Sequence, residues 1–283
     1  MSIRESLRDL CFGLMKLSLD SACKEQSLLE IRNRLQVIVP DLADQYTSVR
    51  HDEGYWLYNM RCLHSFQIAI AKHAISLFSK HNAKIPTIVD IGDSSGTHLR
   101  YLQDIYGKDN INMLSVNLDP VAVAKIRDKG LQAIESRAES LHEHPDFNDQ
   151  ANIALSFQML EHLFDPVSFL HSMAKKSECD YFVITVPYLH RSRVGLHQVR
   201  GRGDLTQAFN AETTHIFELS PDDWDLIFRF SGWSIVKSIR YTQYPKKNPL
   251  SAMRFLWRKL HFDGYYGVIL EKDDSVSKKY QDW

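Results

Sequence analysis

The sequence lacks a charge bias, a cysteine cluster, an apolar run of membrane-spanning length and any internal repeat. Its 283 residues carry 34 Lys and Arg against 35 Asp and Glu, a formal net charge of −1. Nothing therefore draws the whole molecule to nucleic acid or to an anionic membrane. The four cysteines (Cys11, Cys23, Cys62, Cys179) stand far apart and form no Cys-x-x-Cys. That excludes a disulfide framework and fits reduced thiols in a cytoplasmic protein. No stretch stays apolar over the ~20 residues that a bilayer core requires. Arg4, Glu5, Arg8 and Asp9 interrupt the first apolar residues, which is not how a signal peptide reads. The expectation is a cytoplasmic protein.

What is present begins with helices. Leu7, Leu10, Cys11, Leu14 and Leu17 share one face, and Leu28, Ile31, Leu35 and Ile38 another, so two amphipathic helices are predicted, with Pro40 and Asp41 ending the second. A third, rich in aromatic residues and His, runs from about 55 to 79. Residues 1–80 read as a helical N-terminal cap. From 85 onward strands and helices alternate: strands near 86–91, 111–118, 131–134, 151–157 and 181–186, then two more at 233–241 and 265–271. This order predicts an α/β fold, a Rossmann-like, mostly parallel seven-stranded sheet with helices on both faces, over residues 81–273. A polar, Arg-bearing loop at 188–214 is the expected substrate loop. Residues 243–263 form a basic insert, and 274–283 a charged, frayed tail.

The chemistry concentrates at Ile85–Leu99. An apolar, β-branched run ends in Gly92-Asp-Ser-Ser-Gly96, and a helical pattern follows. Strand, glycine turn and helix start make a site where a ligand meets backbone N–H groups. Further along stand Ser115-Val-Asn-Leu-Asp-Pro120, Phe157-Gln-Met-Leu-Glu-His-Leu-Phe-Asp-Pro166, Tyr181-Phe-Val-Ile-Thr-Val-Pro187 and His215-Ile-Phe-Glu-Leu-Ser-Pro221. In this order and spacing they resemble the class I S-adenosyl-L-methionine-dependent methyltransferases, and within them the small-molecule branch with the ubiquinone-biosynthesis enzymes. Gly92 to Gly96 spans one residue fewer than the GxGxxG of dinucleotide sites, and the Leu-Glu-His segment separates the chain from NAD enzymes.

The resemblance implies a site. Gly92, Asp93, Ser94 and Gly96 line the methionine and ribose end of S-adenosyl-L-methionine, and Asp90 meets its amino group. Asn117 and Leu118 meet the ribose, Ala138 and Glu139 the adenine, and Phe157 flanks the cofactor. Asn59-Met-Arg61 is similar to an upstream segment whose Arg pairs with the cofactor carboxylate. Two departures stand out: Ser94 replaces the central glycine, and Asn117 an acidic residue. A methyl acceptor oxygen needs a base, and His162, His197 and His215 are the candidates, with His162 and His215 placed best by the motifs. Relatives with a metal use Glu-x-x-Glu-His; the first position here is Gln158, a poor ligand for a hard cation, so no metal is expected. The reading is a methyltransferase acting on a small molecule or a glycan or lipid-linked intermediate, by O-methylation. The alternative is a non-catalytic binding or assembly protein on the same fold. The basic stretch 246–259 suggests peripheral membrane contact. No nucleic-acid partner is expected, because no Asn/Asp-Pro-Pro-Tyr-type motif follows the fourth strand.

Overall fold

The computed structural model describes residues 3–47, 50–51, 54–145, 147, 151–195, 212, 214–260 and 262–280. Three helices come first: α1 (Ile3–Glu25), α2 (Leu29–Ile38) and α3 (Gly54–His81). Alternation follows through β1 (Thr87–Ile91), α4 (Thr97–Tyr106), β2 (Asn112–Asn117), α5 (Pro120–Asp128), β3 (Ala133–Glu135), β4 (Ile153–Phe157), α6 (Pro166–Lys176) and β5 (Tyr181–Tyr188). A ribbon of β6 (Arg193–Val194) and β7 (Phe217–Glu218) precedes α7 (Pro221–Phe230), β8 (Trp233–Tyr241), α8 (Arg254–Leu260) and β9 (Gly264–Lys272). The main sheet has seven strands in the order β3-β2-β1-β4-β5-β9-β8. Its first five strands are parallel, while β9 pairs antiparallel with β5 and with β8. The strand order reverses between β1 and β4, which puts the crevice of an open α/β sheet at their carboxyl ends.

Local chemistry sets the boundaries. Asp119, Asp165 and Ser220 cap α5, α6 and α7, each accepting a backbone N–H and each followed by a proline at the first helical position. Side-chain capping together with Pro at the first position marks helix starts that are visible in sequence. β1 is buried in its last four residues, as a central parallel strand must be.

Each sheet face carries its own core. One holds Ile91, Phe169, Phe182, Trp224, Phe228 and Trp233. The other holds Leu35, Ile68, Phe78, Ile88, Leu99 and Leu102. The helices expected over 1–80 are present, and α3 is a layer of the sheet's own core. A Cβ on Gly267 of β9 would lie 2.6 Å from Phe66 Cζ on α3, so the two backbones approach as closely as glycine permits.

The basic insert is held to α1. Trp257 is fully buried, donates from Nε1 to Ser18 Oγ at 3.1 Å, and lies near the Tyr55 ring. The Glu25 carboxylate accepts the backbone N–H groups of Lys246 and Lys247. The insert thus packs against α1, with Phe255 exposed. The tail docks as far as Tyr280: Asp274 pairs with Lys175 and Lys278, and Ser277 is buried. Of the loop 188–214, residues 196–211 and 213, with His197, Arg200 and Arg202, lie outside the described residues. Among the described residues no helix is long and apolar enough to cross a membrane.

Trp257→Ala should destabilise the protein by about 3–5 kcal/mol, because it opens a cavity in the α1–α3 core. Phe255→Ala should stay within about 0.5 kcal/mol. Urea unfolding of both variants checks this; equal effects would mean that the insert is not anchored through Trp257.

Candidate functional site

The site forms where β1, β2 and β4 end. Gly92 has φ 90° and Gly96 φ 73°, a backbone region closed to most other residues. A Cβ on Gly92 would meet Met159 Cγ at 2.7 Å, and one on Gly96 would meet Leu131 Cδ1 at 2.7 Å. Asp93 fastens the turn. Its Oδ1 accepts the N–H groups of Ser95 and Gly96, at 3.1 and 2.8 Å, and its Oδ2 accepts from Ser115 Oγ at 3.1 Å. Asn117 Nδ2 donates to Asp93 O at 2.8 Å, and Asn117 Oδ1 accepts from Asp119 N at 2.7 Å. The side chains of Asp93 and Asn117 thus brace the turn.

A strap over 41–47 lies across the turn, and sequence reading missed it. Gln45 is buried, and its Oε1 accepts from Ser95 Oγ at 3.0 Å and Thr97 Oγ1 at 2.8 Å. Ser94 Oγ donates to Gln45 O at 2.8 Å. Ser94, the departure from the glycine pattern, is therefore one of three hydroxyls that hold the strap. Thr47 Oγ1 donates to Asp119 Oδ2 at 2.6 Å, and Lys125 Nζ donates to Tyr46 O at 3.2 Å. The segment is a loop without periodicity, so nothing in its sequence marked it.

Beneath the turn runs a buried polar chain. Asp90 is 1% exposed and among the described residues its Oδ2 has no hydrogen-bond partner, with His98 Nδ1 at 3.4 Å. His98 Nε2 lies 3.0 Å from Gln67 Oε1, and Gln67 Nε2 donates to Thr185 Oγ1 at 3.2 Å. Since Gln67 Oε1 only accepts, His98 Nε2 carries a proton and Nδ1 faces Asp90. Burial, with Asp93 nearby, pushes the Asp90 carboxyl up to about 6. His98, missed in the sequence, sits one residue into α4 on its inward face.

On the β4 side the turn after the strand brings three more groups together. Gln158 has φ 56° and bonds Thr185 through its backbone N and its Nε2, a non-glycine geometry concentrated at functional sites. Glu161 is fully buried, and neither carboxylate oxygen has a hydrogen-bond partner in another of the described residues. Burial pushes its carboxyl up to about 8, so it is protonated at neutral pH. His162 Nδ1 is 2.9 Å from Thr214 O, and its Nε2 is 4.0 Å from Glu161 Oε1. The rings of His162 and His215 meet edge to face at 4.7 Å, and His215 Nδ1 is 3.9 Å from Glu218 Oε1. Burial raises the phenols of Tyr46, to about 12, and of Tyr265, with Glu161 contributing to both. The structure thus brings His162 and His215 together, and Glu161 joins them. Glu161, His162 and His215 offer ligand atoms within 4.8 Å of one another, as do Asp90, Asp93 and His98. In the second set Asp93 already accepts from the turn.

The remaining expected residues divide. Phe157 ends β4 against the His98 ring at 4.9 Å. Leu118 is 59% exposed beside Asn117. Ala138 and Glu139 open the short turn after β3, where Glu139 pairs with Arg137 at 3.5 Å. Arg61 is buried, with Nη1 donating to Leu35 O and Tyr101 OH and Nη2 to Pro40 O. These bonds tie α2 and α4 to α3, while its buried Nε has no hydrogen-bond partner among the described residues.

No protein-family model matches the chain, and no curated protein matches it. Solved structures do. The O-methyltransferase of a trans-AT PKS multienzyme of Brevibacillus brevis, in complex with S-adenosyl-L-homocysteine, superposes with a TM-score of 0.52 at 9% identity, covering 78% of this chain and 76% of that one. Geranyl diphosphate methyltransferase in complex with SAM gives 0.52 at 11% identity, over 78% and 91%. The fold is that of the class I methyltransferases. The [4+2]-cyclase SpnF shares the methyltransferase fold with this chain as well, at a TM-score of 0.50 and 11% identity, over 89% and 97%. The methyltransferase fold therefore does not by itself set the reaction.

Glu161 carries a folded-state pKa above its ordinary value, so its contribution to stability is complete at low pH and lost as pH rises through about 8. Melting temperature should fall between pH 5 and 8 by roughly 5 °C more in the wild type than in Glu161→Gln, and run parallel above that range. Parallel curves for the two proteins within that range would show that Glu161 holds no proton in the folded state.

Proposed function

We propose that this chain is an S-adenosyl-L-methionine-dependent methyltransferase whose acceptor is an oxygen of a small molecule or of a glycan or lipid-linked intermediate. The observation that carries the reading is the pairing, across one crevice, of the glycine turn with the Glu161–His162–His215 cluster. The residues fit the cofactor on two counts. Asp90 keeps a buried oxygen without a hydrogen bond at the end of β1, and Leu118 leaves an apolar side chain exposed beside Asn117. Asp90, the backbone of Gly92 to Gly96, Asn117, Leu118, Ala138 and Phe157 would hold it. When bound, the cofactor supplies a methyl group on a positively charged sulfur, already activated for in-line displacement.

The chain's own residues then supply alignment and proton handling. His162 has Nδ1 on the Thr214 carbonyl, which leaves Nε2 as the nitrogen that can accept a proton from the acceptor hydroxyl. Neutral Glu161 can donate a hydrogen bond, and His215 closes the cluster. The strap, through Tyr46 and Gln45, excludes water from the turn. The exposed Phe255 with Lys246, Lys247 and Arg254 suits the surface that bears a lipid-linked acceptor.

A second reading has its own observation. Ser94 and Asn117 spend their side chains inside the protein, as they would in an assembly module that kept the fold. Calorimetry separates the two. The enzyme reading expects S-adenosyl-L-homocysteine to bind with micromolar affinity, and Asp90→Asn to weaken it at least about tenfold, or 1.4 kcal/mol. No binding at millimolar ligand overturns it. With an acceptor in hand, His162→Ala should keep that affinity and lose about 10²–10⁴ in methyl transfer.

A further inference from the structure

Gln67 is a polar side chain in the apolar layer that α3 lays on the sheet, and it is 1% exposed. Both ends of its amide are used. Oε1 accepts from His98 Nε2 at 3.0 Å, and Nε2 donates to Thr185 Oγ1 at 3.2 Å. Thr185, on β5, is fully buried and also accepts from Gln158 Nε2 at 3.2 Å. A buried chain thus runs from the turn after β4, through Thr185, Gln67 and His98, to Asp90 on β1. Polar groups are buried at a cost that only full hydrogen bonding offsets. The proton handling described above uses none of Thr185, Gln67 and His98.

The chain has a direction. An amide oxygen only accepts and an amide nitrogen only donates. With Oε1 on His98, the imidazole carries its proton at Nε2. Asp90 Oδ2, 3.4 Å from His98 Nδ1, then has no hydrogen-bond partner among the described residues. With the amide reversed, Gln67 Nε2 would face His98 Nε2, which would have to give up its proton. That proton would pass to Nδ1 and be donated to Asp90 Oδ2. The ring itself is held in place, because His64 and Phe157 meet it edge to face at 4.7 and 4.9 Å. Thr185 Oγ1, as the acceptor for Gln67 Nε2, keeps the amide in the first direction. A buried N–H without an acceptor is tolerated less than a buried oxygen without a donor, so loss of that hydroxyl favours reversal.

We infer that Gln67 is a positioning residue of the crevice: the direction of its amide, set by Thr185, decides whether Asp90 Oδ2 is open to an N–H donor of a ligand or closed by His98. That the donor is the amino group of S-adenosyl-L-methionine rests on the function proposed above. Neither Gln67 nor Thr185 has to touch the ligand. The two arrangements share one backbone and differ by one amide and one proton, so they are discrete states that both ends of the chain can bias.

Nitrogen NMR of the full chain with labelled histidine tests this without a ligand, His98 being assigned by its absence from His98→Gln. In the wild type the His98 proton should sit on Nε2. In Thr185→Val it should move to Nδ1, and in Thr185→Ser it should stay on Nε2, because the hydroxyl is kept. Gln67→Met, close to the amide in volume, should also move it to Nδ1, and this variant decides the matter where Thr185→Val does not fold. A wild-type ring protonated at Nδ1, His98 signals that do not move in the folded variants, or a Thr185→Ser protein that behaves as the Val variant does overturns the proposal. Calorimetry with S-adenosyl-L-homocysteine completes the test. Thr185→Val and Gln67→Met should each weaken binding about fivefold. The double variant should lose no more than about fivefold, because both changes act through His98. Losses that multiply overturn the proposal. A wild type that shows the proton shift but binds no S-adenosyl-L-homocysteine overturns the function proposed above and supports the role of Gln67.

Discussion

Everything at the carboxyl edge of the sheet depends on a five-residue turn that has room for nothing but glycine at its two ends. Gly92 and Gly96 have positive φ, and each lies against a side chain that a Cβ would strike. One carboxylate, that of Asp93, gathers two backbone N–H groups of the turn and the Ser115 hydroxyl. This fixes the start of α4 and so the inward side chain of His98. It also fixes the three hydroxyls of Ser94, Ser95 and Thr97 that hold Gln45. Strap, turn and buried histidine are consequences of one rigid local geometry.

Two buried acids flank that turn, and their environments differ. Asp90 faces an imidazole and shares its edge with Asp93; Glu161 has only its own backbone, with His162 four ångströms away. Burial without compensating hydrogen bonds favours the neutral form of a carboxyl. Both groups are pushed upward, Glu161 further than Asp90. A pair of acids with separated proton affinities at the carboxyl edge of the sheet is the pattern on which the proposed function rests.

The helices ahead of the sheet have a mixed role. α3 completes the core on one sheet face, α2 is clamped to it through Arg61, and α1 joins it to the insert around Trp257. Stability and closure of the site therefore run through the same layer. The strap between α2 and α3 is held at both ends by helices that the core anchors.

Much of this was legible in the residues themselves. The seven strands, the helices between them and the Asp-Pro and Ser-Pro starts of α5, α6 and α7 follow from periodicity and capping, which act over a few residues. The glycine turn was legible for the same reason, through a short motif, whereas the meeting of His162 with His215 appears only in the structure. Tertiary structure alone decided the rest, because it joins positions far apart in the chain. Gln45 meets Ser94 across 49 residues, Trp257 meets Ser18 across 239, and Glu161 loses its water only when the 214–218 segment closes over it. Arg61 shows the limit most clearly. Its neighbours in sequence resemble a carboxylate-binding segment, and burial between three elements gives its Nη1 and Nη2 to backbone and phenol oxygens. Local sequence sets what a residue can do; packing sets which partners remain within reach.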